Sequence, residues 1–122
     1  PGCEVIVAGG VVRHRDRGIT GEATIDFVQQ FKVDYAVMGI SGIEADGTLL
    51  DFDYREVRVL QIIMNNARSV LLGADHSKFG RNALVRVGEL SEISELFTDA
   101  QPPVAIRRLL NENGTRLVVA EA

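Results

Sequence analysis

The sequence predicts an α/β fold: a mainly parallel sheet with helices on both faces and right-handed crossovers. Three observations predict it. The runs at 35–38 and 70–74 are continuously apolar, as strands are when both faces of a parallel sheet are covered, and 96–98 reads as a third interior-type strand. Segments with helical apolar spacing lie between and beyond them, at 21–31, 54–67 and 102–111. Glycine, proline and aspartate clusters punctuate the joins.

Taken in order, residues 5–8 are a short apolar run ended by Gly9 and Gly10, the pattern of a buried strand and a turn. Val11 and Val12 suggest a second, edge-like strand. Residues 13–18 read as a basic, solvated turn, with His14 exposed. Thr20 is the expected N-cap of the helix 21–31, whose apolar positions are Ala23, Phe27, Val28 and Phe31. Lys32 falls in its last turn, where a cation suits the helix dipole. Asp34 opens the strand 35–38. A glycine-rich polar loop, 39–53, follows. Asp53 and Glu56 then have the spacing of a capping box, which starts the next helix at Tyr54. Val57, Leu60, Ile63, Met64 and Ala67 make one stripe on it, and Val59 and Ile62 a second edge. Such a helix is either buried on more than one side or lies at a subunit contact. The strand 70–74 ends in a second polar loop, 75–80. Val85 and Val87 mark a short extended piece, and the strand 96–98 stops at Asp99. Pro102 and Pro103 open the last helix, Asn113 and Gly114 end it, and residues 115–119 form a final strand.

The 122 residues suit one domain, and a chain this long buries enough surface to need no disulfides. The formal net charge of −4 argues against a nucleic-acid surface on this segment, which would need clustered Lys and Arg. Cys3 is the single cysteine, so no internal disulfide is possible, and a reducing, cytoplasmic setting fits. There is no apolar run of membrane-spanning length, so no membrane partner is expected. The abrupt start on a strand predicts a fragment of a longer polypeptide.

Function is expected at the two polar loops. The strands before them are joined by one helix and should be parallel, so both loops emerge at one sheet edge, with Thr98 and Asp99 beside them. Asp46, Asp51 and Asp75 are acceptors suited to ligand hydroxyls. Lys78 and Arg81 are donors suited to phosphate or carboxylate. Backbone amides around Ser41 and Gly42 add to the set. Acids with a lysine suggest a polyol or sugar phosphate. Asp46 and Gly47 also fit a tight hairpin turn, and a turn and a site can coexist. Asp53 reads as a helix cap. His76 is open between ligand donor and loop residue. Neither GxxxxGK[ST] nor GxGxxG is present, and the acidic helix start behind Asp53 opposes a phosphate there. There is no Cys/His metal spacing and no GxSxG elbow, so neither a metal nor another cofactor is expected.

At these loops the sequence resembles a known family. Residues 39–43 with Asp46 and Gly47, and then the run 75–80 from Asp75 to Gly80, are similar to the effector-sensing domain of DeoR-family bacterial transcription regulators. The runs 46–53 and 75–80 look most like the branch answering to glycerol 3-phosphate. The similarity covers essentially the whole chain. It implies a sensor fold like that of ribose-5-phosphate isomerase and the CoA transferases, truncated at its N-terminus, with residues 1–122 a partial effector-binding domain. It implies a phosphorylated small metabolite as effector, sn-glycerol 3-phosphate foremost. It also implies a homo-oligomer, and operator DNA bound through a helix-turn-helix that this chain lacks. The family's first sensor strand, with its Gly/Thr-rich phosphate loop, is missing as well. The resemblance maps the family's Asp-Gly loop to Asp46 and Gly47 and its lysine loop to Lys78. Ligand binding is therefore expected at Ser41, Gly42, Asp46, Gly47, Asp51, Asp75, Lys78 and Arg81, with no catalysis. Two rivals stand beside this reading. One is a sugar-phosphate isomerase using Lys78 with Asp46 or Asp51; the other is a ligand-independent oligomerisation module built on the helix 54–67.

Overall fold

The computed structural model describes residues 2–14 and 17–120. In chain order its strands and helices are β1 (Val11–Val12), β2 (Ile19–Thr20), α1 (Glu22–Val28), β3 (Val33–Gly39), β4 (Gly42–Ile43) and β5 (Thr48–Asp51). Then come α2 (Tyr54–Asn65), β6 (Ala67–Gly73), β7 (Val85–Glu89), β8 (Glu95–Thr98), α3 (Val104–Asn113) and β9 (Arg116–Val119). Single 3-10 turns stand at His76–Lys78 and Leu90–Glu92.

The main sheet has the order β3-β6-β8-β9 and is parallel throughout, as the apolar runs predict. Helix α2 lies on the path from β3 to β6, and α3 joins β8 to β9. Each crossover steps the same way across the sheet, so right-handedness sends both helices to one face. Ala36, Met38, Val70, Leu72 and Leu96 are buried beneath them, in one core with Val57, Met64, Ile106 and Leu110. The expected helix cover is thus made on one face. On the other, Val37 is 80% exposed, and Tyr35 and Phe97 also reach solvent.

A second sheet, β4-β5-β7, is antiparallel and packs its apolar side into the same core through Ile43, Leu49 and Val87. Much of the expected loop 39–53 is therefore a hairpin. Helix α2 lies against α1, β2, β3, β6 and β7 of its own chain, so it is covered on more than one side.

Other expectations are corrected. Residues 5–8 form no strand, and Val5 and Val7 are exposed. An apolar run becomes a strand only beside a partner ladder, and no described residue supplies one. Thr20 is not a helix cap: it lies buried in β2, and Gly21 (φ 110°) is the N-cap of α1 without a side-chain cap bond. That helix ends at Val28, leaving Phe31 to meet Phe27 edge to face and Lys32 outside the helix. At α2, Asp53 caps as expected, accepting from the Arg55 amide at 2.8 Å. Glu56 does not complete the box, because its carboxylate bonds Arg13 instead, at 2.8 Å. Gly114, left-handed at φ 73°, ends α3.

Candidate functional site

The site begins with a glycine. Gly42 opens β4, and a Cβ there would fall on the carbonyl oxygen of Arg81. Only a bare Cα lets the segment after β6 lie this close to the hairpin. The seat is completed by Gly80, whose amide donates to the Ile43 carbonyl at 2.8 Å, and by a parallel bridge between Ile43 and Phe79. At its other end the segment is tied to the end of β8. Asp99 accepts from the His76 amide at 2.7 Å and pairs with His76 Nδ1 at 2.9 Å. Asp75 accepts from the amide and hydroxyl of Ser77, capping the 3-10 turn that carries Lys78.

This seating forms a cleft of about 440 Å³ lined by Arg13, Ser41, Asp51, Phe52, Asp53, Glu56, Lys78 and Arg81. The volume suits a small ligand. Ser41 Oγ donates to Asp51 Oδ1 at 2.8 Å, and the Phe52 amide donates to the same oxygen at 2.8 Å. These bonds fix the carboxylate of Asp51, a buried residue. The Arg81 guanidinium lies over the Phe52 ring, 5.6 Å from its centre. Lys78 Nζ is 4.0 Å from Asp75 Oδ2, a loose pair that leaves the ammonium available to a ligand anion. The lining thus holds the oriented Asp51 carboxylate with the cations Lys78 and Arg81, while Arg13 faces Asp53 and Glu56.

Among the expected site residues, Ser41, Asp51, Lys78 and Arg81 line this cleft. Gly42 supports it through backbone contact, and Asp75 borders it through Lys78. Asp46 and Gly47 lie elsewhere, at the tip of the hairpin. There Asp46 Oδ1 accepts from the Thr48 amide at 3.0 Å, and Gly47 takes φ 91°. The tip faces a separate small cleft with Glu89, Leu90, Leu109 and Asn113. Thr98 and Asp99 do reach the edge where the Lys78 segment emerges, beside Asp75. No described His, Cys, Asp or Glu residues form a group of three able to hold a metal.

Sequence reasoning missed Phe52, Glu56 and above all Arg13 as lining residues. Taken there for part of a solvated turn, its side chain is only 16% exposed. It donates to Asp53 Oδ2 at 2.9 Å and to Glu56 Oε2 at 2.8 Å. The one local signal was the pair of acids in the first turn of α2, which calls for a counter-charge without saying where it comes from.

Local bonds hold several carboxylates ionised. Asp53 lies below its ordinary range because of the Arg55 amide and then Arg13. Asp46 is lowered mainly by the Thr48 amide, and Asp75 by the Ser77 hydroxyl and amide. His76 is raised by its bond to Asp99, and Asp99 is lowered by the same bond.

Comparison with known proteins follows the same lines. Residues 1–100 match the family model described as the DeoR C terminal sensor domain. The glycerol-3-phosphate regulon repressor of Escherichia coli (strain K12) is 51% identical over 113 residues, covering 93% of this chain and 45% of that protein. The glycerol-3-phosphate regulon repressor of Haemophilus influenzae is 50% identical over 116 residues, covering 95% and 45%. The HTH-type transcriptional repressor CsqR of Escherichia coli (strain K12) is 37% identical over 121 residues, covering 99% and 46%. The chain therefore spans less than half the length of these relatives.

Two outcomes are expected of this geometry. Gly42→Ala should lift the Gly80 amide from the Ile43 carbonyl, seen as faster hydrogen exchange at Gly80; unchanged protection there would show that Arg81 yields without cost. A proton NMR titration should place His76 above its ordinary value of 6.5, and Asp99→Asn should lower it toward that value. The His76 contribution to stability is full below 6.5 and is lost as pH rises through the raised folded value. The Asp99 contribution is present above 3.8 and is lost as pH falls through its lowered folded value. The tether should therefore be firmest between those two ordinary values.

Proposed function

The chain belongs to the family of DeoR C-terminal sensor domains, and from that membership we propose that it is the effector-sensing part of a transcriptional repressor relieved by sn-glycerol 3-phosphate. One observation carries the reading: the cleft that sets Lys78 and Arg81 around the oriented Asp51 carboxylate. Lys78 and Arg81 would take the phosphate, and Asp51, held by Ser41, would accept from the glycerol hydroxyls. Gly42 and Asp75 would position the Lys78 segment. Asp46 and Gly47 would act as the hairpin turn. The names of the two glycerol-3-phosphate regulon repressors support the choice of effector, and the repressor names of all three relatives support a sensor over an enzyme.

In this reading the cleft is one part of a longer protein. Operator DNA would be held by a helix-turn-helix outside this chain, whose own net charge of −4 suits no DNA face. The protein would be a homo-oligomer, since helix-turn-helix dimers read paired half-sites. It would work in the cytoplasm; no described helix is long and apolar enough to cross a membrane. The effector would act by binding one of two sensor conformations more tightly, which is the only way it can shift operator affinity.

Titration of the full-length protein with sn-glycerol 3-phosphate should release operator DNA. No release up to about 10 mM, where even a site of about 1 mM Kd is filled, would sink the named effector. Lys78→Ala should raise the effector concentration for half-release by roughly 10- to 100-fold, with ligand-free operator affinity unchanged. An unaltered effector response would remove Lys78 from the site.

A further inference from the structure

Three cations and three carboxylates line the cleft, and they are not equally placed. Lys78 and Arg81 stand on the segment seated by Gly42. Asp53 is the N-cap of α2 and Glu56 lies in its first turn, where exposed amides would ordinarily welcome an anion. Here that turn presents two carboxylates instead. A ligand phosphate entering the cleft would meet both. Arg13 reaches across from the end of β1 and spans the pair, one guanidinium nitrogen on each carboxylate, at 2.9 and 2.8 Å. The two acids are 24% and 35% exposed, so solvent screens them only in part.

We propose that Arg13 sets the preference of the cleft for an anionic ligand, by neutralising the two carboxylates of the first turn of α2 that face it. The proposal deepens the sensor reading and rests on it. With Arg13 in place the lining is balanced in charge, and Lys78 and Arg81 are free to hold an anion. Without it, carboxylates outnumber cations and the same two cations are drawn toward Asp53 and Glu56. A planar fork fits this task better than an ammonium, because two acceptors one helical turn apart are met at once. Arg13 acts through Asp53 and Glu56, so its role is to position charge and not to touch the ligand.

Inorganic phosphate is the probe, with binding to the full-length protein followed by NMR and by calorimetry, and thermal unfolding checking each variant. Arg13→Gln should weaken phosphate binding about tenfold or more at 0.15 M salt. Adding Asp53→Asn and Glu56→Gln to that variant should restore binding to within about threefold of the parent, since asparagine still caps the helix. Should Arg13→Gln fail to fold, the Asp53→Asn, Glu56→Gln double variant decides alone. It keeps Arg13 and should bind phosphate more tightly than the parent, an effect opposite to that of structural damage. Parent-like binding by Arg13→Gln, no recovery in the triple variant, no gain in the double variant, or a parent protein that takes up no phosphate would each overturn the proposal. Operator release by sn-glycerol 3-phosphate is measured in parallel. If that fails while the phosphate pattern appears, the named effector falls and the role of Arg13 stands.

Discussion

Everything at the site depends on how closely the chain after β6 can approach β4. Gly42 has no Cβ, so the Arg81 carbonyl can lie directly over it. The Gly80 amide then reaches Ile43, and Phe79 packs against the shared core of the two sheets. Without that approach the Lys78 segment would hang from the sheet edge by the His76–Asp99 pair alone, and that pair is largely in solvent. An exposed pair contributes little to stability. The hairpin seat supplies the rigidity, and the exposed pair sets the direction.

The electrostatics of the cleft follow from the same placement. Two carboxylates held close together repel, and α2 begins with Asp53 and Glu56. The fold resolves this by bringing a guanidinium from about forty residues upstream, a contact whose separation in sequence is as large as any side-chain bond at the site. Glu56 is thereby drawn out of the capping box and into the wall of the cleft. The guanidinium brings a full positive charge to that carboxylate, where a backbone amide would bring only a dipole.

The main sheet was readable because its signal is local. Runs such as 70–74 and 35–38 are apolar at every position, and the one helical stripe between them implies a crossover and so a parallel pair. The lysine segment was readable too, since Asp75 and Lys78 follow directly on a buried strand. What was not readable is pairing. Residues 5–8 look like a strand, yet no described neighbour completes a ladder. The segment 39–53 looks like a loop, yet β5 finds β7 some forty residues later and becomes the middle of a sheet.

The sequence by itself therefore established the α/β class, the mainly parallel sheet and the approximate span of each helix, because each is written in spacing within a few turns or one strand. Tertiary structure alone decided which acids share a cleft with Lys78. The hairpin points Asp51 and Ser41 inward at its base and carries Asp46 and Gly47 away at its tip, and neither outcome is visible until β5 has paired with β7. It also decided that Arg13 lines that cleft at all. Periodicity reports only what neighbours along the chain do, whereas a ligand cleft is made where segments far apart in sequence are packed against one another.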